Sequence, residues 1–395
     1  MDRSGYLGGI STSVLDTFYG FYCPGEAQRK VIGGIPDLVI AQLAGMRASI
    51  ERPNTHVAGK GITYDPEILK VVWERLAVKE GVQILFHSFF MDVTRDTHGQ
   101  INGAVVINKA GMHRIMARVV IDASGDGDVA YKAGAEFEDW RTLPVQSLTT
   151  TFRIGRVDHD RAVQVKKDAL WTLMEEASSS GDYKLPRLEG SVHITPYRGI
   201  MATNMVRMTI EDPTDPVALS KAEMEGRIQA MEYYRFMKDR VPGYEDSVLL
   251  NFSTYVGIRE SRRIRGDYWL TRDDVLQARR QPDAIAMCGA PIEEHHSGAD
   301  TRWEYLPDGA TYDIPFGSLL PRGVEGLIVA GRCLSASHDA HASVRSMGQC
   351  MAMGQAAGVA AAQAADSSKT PRSIDIHGLQ VELTRLGSIL DQDIL

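Results

Sequence analysis

Paired cysteines are missing from this 395-residue chain: Cys23, Cys288, Cys333 and Cys350 lie far apart and form no CxxC motif. That spacing argues against a disulfide framework, an iron–sulfur cluster or a zinc site, and it fits a reducing compartment. No apolar run approaches the roughly 18–20 residues needed to cross a bilayer. The opening residues, MDRSGYLGGIST, lack the basic-then-apolar order of a secretory signal, so a soluble cytoplasmic protein is expected. Lys and Arg are dispersed and the formal net charge is -8, which leaves no basic stripe for nucleic acid. There is no internal repeat, no GxSxG elbow and no P-loop lysine motif; solenoid, hydrolase and kinase readings lack support.

What is present is material for a large core. A hydrophobic fraction of 44% and a charged fraction of 24% suit one large domain with an insertion, or two domains. A helix is predicted over 65–80, with Asp65 as N-cap, Pro66 in the first turn, and Ile68, Leu69, Val72 and Leu76 along one face. Strand patterns follow at 82–86, 89–95 and 101–108, the last two forming a hairpin, and at 114–123. From about residue 143 the character changes. Residues 147–154 alternate like an exposed sheet strand, 161–178 and 216–238 read as helices, and 204–210 is strand-like. After Pro321 the first pattern returns, with a buried strand at 327–330 and a helix at 343–365 dense in Ala, Gly and Met. A nucleotide-type layer at both ends thus encloses a different layer, an antiparallel sheet with helices.

Two stretches carry the chemistry. In VVIDASGDGDVAYKAGAEF, residues 119–137, an apolar strand ends at Gly125-Asp126 and a short helix opens near Asp128. Glycine at a strand's carboxyl end lets a ligand approach the backbone, and a helix start favours phosphate or a polar ring edge; an ordinary tight turn is the alternative. In GLIVAGRCLSASHDAHASVRSMGQCMAMGQAAGVAAA, residues 326–362, a second buried strand ends at Gly331-Arg332 and leads to a helix containing Gly348 and Gln349. Arg332 suits a diphosphate, and the helix start suits an electron-rich ring oxygen. Gly354 and Gly358, four apart, suggest a flat face for close helix packing.

With SGYLGGIST at 4–12, GGIPDLVIAQL at 33–43, VGIRESRRIRGDYWLTRDDV at 256–275 and YDIPFGSLLP at 312–321, these stretches resemble the FAD-dependent oxidoreductases of the glutathione-reductase-like FAD fold, specifically those grouped with heterodisulfide reductase. The resemblance covers nearly the whole chain. It implies an α/β FAD-binding domain, Rossmann-like, from 1–142 and 312–395, with an inserted α+β substrate domain at 143–311. By the same likeness Gly125 and Asp126 lie near the dinucleotide, Gly331 and Arg332 near phosphate and ribitol, and Gly348 and Gln349 beside the flavin pyrimidine. Gly8 and Gly9 line the same groove.

One departure stands out. Relatives open with a strand, a G-x-G-x-x-G turn, a helix and a strand ending in a ribose-binding acid, a unit of roughly 30 residues; no GxGxxG occurs here. The expectation is an N-terminally truncated chain, a partner that supplies the missing unit, or a degenerate paralogue that holds no FAD. For the reaction, His338 and His341 are the candidates to carry a proton, and Arg345 to bind an anionic substrate. Local capping or hydrogen bonding is the alternative for these histidines. A metal is not expected. The implied function is flavin-dependent oxidation or reduction of a small organic molecule, with a homo-oligomer left open.

Overall fold

The Asp65 carboxylate accepts a hydrogen bond from the Glu67 N–H at 2.8 Å, satisfying one orphan donor, and Pro66 opens the helix Pro66–Lys79. Leu69 and Val72 bury its inner face against the helix Ile35–Gly45. The computed structural model describes residues 1–26, 28–55, 59–138, 145–298 and 300–390, and they form a mixed α/β fold.

The hairpin read from 89–108 is present as Phe89–Arg95 paired with Ile101–Asn108, and Gly111–Met116 adds a third antiparallel strand. The predicted strand at 114–123 therefore splits in two, because Val120–Asp122 leaves the meander and pairs in parallel with Leu327–Val329. Residues 82–86 are not a strand. Only Leu85 of that stretch bonds across, accepting from the Asp2 N–H at 2.9 Å, with His87 next donating to Ser4. With Ser88 donating to Asp2 O, three backbone bonds link the two segments, but only one of them falls within 82–86, and Val82 and Leu85 stay exposed.

The middle of the chain forms a four-stranded antiparallel sheet in the order Ser191–Ile194, Met201–Asn204, Phe152–Gly155, Val248–Phe252. Helices Lys167–Ser179 and Pro216–Arg240 share with it a core of Leu148, Phe152, Ile154, Met174, Tyr233 and Phe236. The second helix starts at Pro216, where the sequence pattern puts it, with Asp215 accepting from Val217 and Ala218. Residues 147–154 alternate in sequence, yet nearly all are buried. Their polar members bond inward: Thr149 Oγ1 donates to Val206 O at 2.9 Å and Thr151 Oγ1 to Val14 O. Alternation here separates two buried environments, not core from water.

A larger apolar cluster joins Phe18, Val39 and Leu69 from the first part of the chain with Leu270, Ile285, Tyr312, Ile328, Met353 and Leu379. The helix expected over 343–365 is two helices, His338–Val344 and Met347–Ser367. Ser346 takes an extended ψ of 148° between them, which redirects the second helix so that its Gly348 N–H donates to Tyr19 O at 3.2 Å. A Cβ on Gly348 would lie 3.1 Å from that oxygen, so glycine permits the approach. Gly354 and Gly358 do not serve close packing: both are exposed and a Cβ on either would meet nothing within 4 Å. The packed face of this helix is carried instead by Ala352, Met353, Ala356, Ala357 and Ala360. All four cysteines are free thiols, with Cys23, Cys288 and Cys333 buried. Among the described residues, no helix is long and apolar enough to cross a membrane.

Candidate functional site

The parallel register Leu327↔Val120, Ile328↔Ile121, Val329↔Asp122 brings both strands out at the same end of the sheet. Beyond Asp122 the chain is pinned by that residue's own carboxylate, which accepts from Ser124 N at 3.0 Å and Ala130 N at 2.9 Å. Burial raises the Asp122 pKa despite these bonds. The pinned turn puts Gly125 in the left-handed region, φ 81°, with Arg332 of the other strand so close that a Cβ would sit 2.8 Å from Nη2. Arg332 Nη2 meets Asp126 Oδ1 at 2.9 Å, its Nη1 donates to Ser261 Oγ at 3.0 Å, and Ser261 Oγ donates to Asp126 Oδ1 at 2.7 Å. Burial pushes the Asp126 carboxyl up, but Arg332 and Ser261 outweigh it and hold the pKa below the ordinary value. Gly125, Asp126, Gly331 and Arg332 are thus brought together from segments that are far apart in the chain.

The start of the Met347–Ser367 helix lies against residues 19–21. Gln349 is fully buried, its Nε2 donating to Gly20 O at 2.8 Å while its Oε1 has no partner. Its side chain therefore ties the helix to the Gly20 turn. Gly8 and Gly9 both have positive φ, 108° and 53°, and precede the single turn Ile10–Ser13. A Cβ on Gly9 would meet nothing within 4 Å, so its backbone faces open space. A recess of about 30 Å³ lies between Thr12–Val14 and Thr151–Arg153. A larger one of about 250 Å³, lined by Pro24, Pro291, Tyr305 and Asp308 among others, involves none of the predicted site residues.

The two candidate histidines differ sharply. His338 Nδ1 is 2.9 Å from Glu260 and Nε2 is 3.4 Å from Glu294 Oε1. Glu260 is fully buried and also takes Arg263 Nη1 at 2.5 Å and the Gln146 N–H at 3.0 Å. Burial alone would raise Glu260; the bond from His338 and the neighbouring positive charge bring it down to about 2. Burial likewise works against protonated His338, yet the Glu260 bond and charge raise its pKa. His341 is buried, with Nε2 bonded to Arg332 O at 2.7 Å. Burial pushes it down to about 3, which favours the neutral ring, so the two histidines of the motif differ in their electrostatics. Arg345 Nη2 donates to Gln146 Oε1 at 2.9 Å and to Glu293 O at 3.4 Å.

The sign of the His338 shift gives a testable pH dependence. A histidine whose folded pKa is raised stabilises the fold fully below its unfolded value of about 6.5, and that contribution is lost as pH rises through the folded value. Wild-type protein should therefore exceed His338→Gln in stability by more at pH 5.5 than at pH 9, read as urea midpoints. Equal differences at both pH values would contradict the His338–Glu260 ion pair.

Some site residues carried no usable sequence signal. Ser261 lies within the 256–275 stretch but nothing there singles it out; Gln146 has no motif around it, and neither does the pair Asp16–His193, 2.8 Å apart with Arg153 3.8 Å away. Burial would raise Asp16, but His193 and Arg153 hold it below its ordinary pKa. Among the described residues, no group of three or more His, Cys, Asp or Glu side chains is arranged to hold a metal.

No curated protein matches the chain. Solved structures are similar at low identity. A geranylgeranyl bacteriochlorophyll reductase-like protein from Thermoplasma acidophilum is 12% identical, covering 97% of this chain and 74% of that one, with a TM-score of 0.42. Aklavinone-11 hydroxylase, in a ternary complex with FAD and aklavinone, is 10% identical over 92% of this chain and 55% of its own, TM-score 0.37. L-proline dehydrogenase from P. horikoshii is 10% identical over 83% and 64%, TM-score 0.33. Residues 1–383 match the family model described as FAD dependent oxidoreductase, and the chain belongs to that family of FAD-dependent flavoproteins.

Proposed function

We propose that this chain binds FAD at the paired strand ends and oxidises or reduces a small organic molecule. The observation that carries the reading is the meeting of Gly125-Asp126 with Gly331-Arg332 at one end of two parallel strands. The residues there fit the cofactor. Gly125 and Gly331 are both left-handed, φ 81° and 84°, leaving bare backbone, and Arg332 brings a cation. The buried, unpartnered Gln349 Oε1 marks a polar atom without a protein donor beside the helix start. Gly8, Gly9 and the Gly348 backbone would complete the groove. In this reading residues 1–142 and 312–395 form a glutathione-reductase-type FAD body, and 143–311 form the cover that receives substrate.

Bound FAD supplies two-electron chemistry, exchanging hydride with a substrate carbon. The protein's share is orientation and proton handling. His338, whose pKa Glu260 raises, gives or takes the substrate proton; His341 fixes the Arg332 carbonyl; Arg345 orients the substrate. The test is titration of the purified chain with FAD, followed by visible absorbance and equilibrium dialysis. One tightly held FAD per chain is expected. A colourless protein that ignores added FAD overturns the reading.

A second reading has its own observation. Among the described residues the Val120–Asp122 strand pairs with Leu327–Val329 alone, and Ile121 is 38% exposed. The open faces of Gly354 and Gly358 lie on the helix that contacts this strand. A strand–glycine-turn–helix unit from a partner protein would seat on that edge by main-chain pairing. FAD binding that appears only when such a partner is added would favour it, and so would a chain that holds no FAD alone.

A further inference from the structure

Four arginines converge on one wall beside Arg345 without a carboxylate of their own. Arg345 donates to Gln146 Oε1 at 2.9 Å, and the next residue, Ser147, receives Arg259 Nη1 on its carbonyl at 2.6 Å. The Ser147 N–H donates to His295 O at 2.8 Å, and the His295 ring lies 3.4 Å from Arg207 Nη2. Arg187 Nη1 donates to Asn204 O at 3.1 Å, and the Asn204 side chain is tied to Thr149 at 3.1 Å. The guanidinium groups of Arg187, Arg207, Arg259 and Arg345 are thus held by two short segments, 146–149 and 204–207, and what lies across from them.

The hydrogen bonds of these arginines end on neutral groups. Among the described residues, none is within ion-pair distance of a carboxylate, unlike Arg263, Arg280 and Arg332, which each have at least one. Carboxylates act on them only from farther off: Glu293 on Arg187, Arg259 and Arg345, Glu189 on Arg187 and Arg207, Asp300 on Arg207 and Glu260 on Arg345. Protein surrounds Glu293, yet 37% of its side chain remains accessible, as expected of a group lining a concavity. Buried positive charge with no carboxylate in direct contact is costly, and burial and mutual repulsion outweigh the more distant carboxylates. Burial, then Arg345 and Arg187, depress Arg259 well below the usual guanidinium range; burial and Arg187 bring Arg207 to about 10. His295 adds no charge, because burial and Arg259 keep it neutral.

A second observation points to the missing partner. Arg187 Nε, Arg345 Nε and Gln146 Nε2 are buried donors with no acceptor. All three can only donate, so what completes them must accept, through at least two oxygens. A planar carboxylate has that geometry and brings negative charge within hydrogen-bond reach of the guanidinium groups.

We propose that this wall is the substrate site and that it takes a small carboxylate, received by Arg345, Arg259 and Arg187 and oriented by the Gln146 amide. The assignment rests on the flavin reading for its catalytic meaning, but binding of the anion does not require FAD. The experiment uses the full chain with and without added FAD. Succinate and benzoate are compared with succinamide and benzamide by calorimetry and thermal shift. Both carboxylates are expected to bind at least tenfold tighter than their amides. Arg259→Gln and Arg345→Gln should each weaken carboxylate binding at least tenfold. Arg345→Lys, which keeps the charge and guards against a folding defect, should recover part of it. Carboxylates binding no better than amides to a folded chain overturn the proposal. Equal stabilisation by chloride or sulfate, an adventitious ion only, overturns it too. Retained FAD with no carboxylate binding sinks this proposal alone, whereas carboxylate binding without FAD retention supports it and sinks the flavin reading.

Discussion

Replacing Glu260 with alanine will lower the stability of the fold by about 3 kcal/mol, the lower end of what breaking a buried ion pair costs. Glu260 and Arg263 are both wholly shielded from solvent, so removing the carboxylate strands a guanidinium in the interior. Arg263 keeps Glu138 Oε2 at 2.6 Å, which limits the damage. It already has one unpartnered nitrogen, Nη2, and so has little capacity to lose another acceptor. The Gln146 N–H would also lose its acceptor, and His338 the carboxylate on Nδ1. Urea denaturation of Glu260→Ala and Glu260→Gln at pH 7 measures the effect. The glutamine variant keeps an acceptor oxygen without the charge and should lose less. A loss below about 1 kcal/mol for alanine, the scale of an exposed pair, would mean that Arg263 finds another anion.

Arg332→Met should weaken FAD binding by about 10- to 100-fold, the equivalent of one or two charge-assisted hydrogen bonds. Arg332 is the cation where the two strands end, and it also fixes Asp126 and Ser261. On the proposed FAD reading, its removal acts on the cofactor directly and through the turn that carries Gly125. The stability effect has a sign that can be checked. The Asp126 pKa is depressed in the fold, so its contribution is present above the unfolded value of about 3.9 and lost as pH falls through the folded one. The methionine variant should therefore be destabilised more at pH 7 than near pH 3. Arg332→Lys keeps the charge but not the fork, and should fall between the two. Dialysis against FAD reads the affinity; an unchanged dissociation constant in the methionine variant would remove Arg332 from the cofactor's surroundings.

Much of this arrangement is legible in the sequence because it is written locally. The Asp65-Pro66 helix start follows from orphan N–H groups within one turn and is found where the pattern puts it, as is the start of the helix at Pro216. The glycine-ended strands are legible for a similar reason, since a buried apolar run stopping at glycine marks backbone left bare. What cannot be read is what depends on distant partners. Residues 82–86 have strand composition but acquire no ladder. Residues 147–154 alternate yet are buried on both sides, because segments more than a hundred residues away cover the face that would otherwise be wet. His338 and His341 are three residues apart in one motif, and only their three-dimensional placement, one beside Glu260 and the other buried, raises the pKa of the first and lowers that of the second. Arg187 and Gln146 look unremarkable in the sequence; their significance lies in the acceptors they lack.

The pairing of Val120–Asp122 with Leu327–Val329 has a consequence for biosynthesis. About 200 residues separate the partners, and at roughly 5–20 residues per second the ribosome needs on the order of 10–40 seconds to bridge that gap. Throughout that interval the first strand waits without its neighbour, while the sheet and helices between residues 148 and 256 already have their own apolar core to collapse around. The ordering entropy of so long a loop is reduced if that intervening region is compact before closure. A middle region compact by then would act as a splint, and Asp126 can meet Arg332 only once the chain has been made through residue 332.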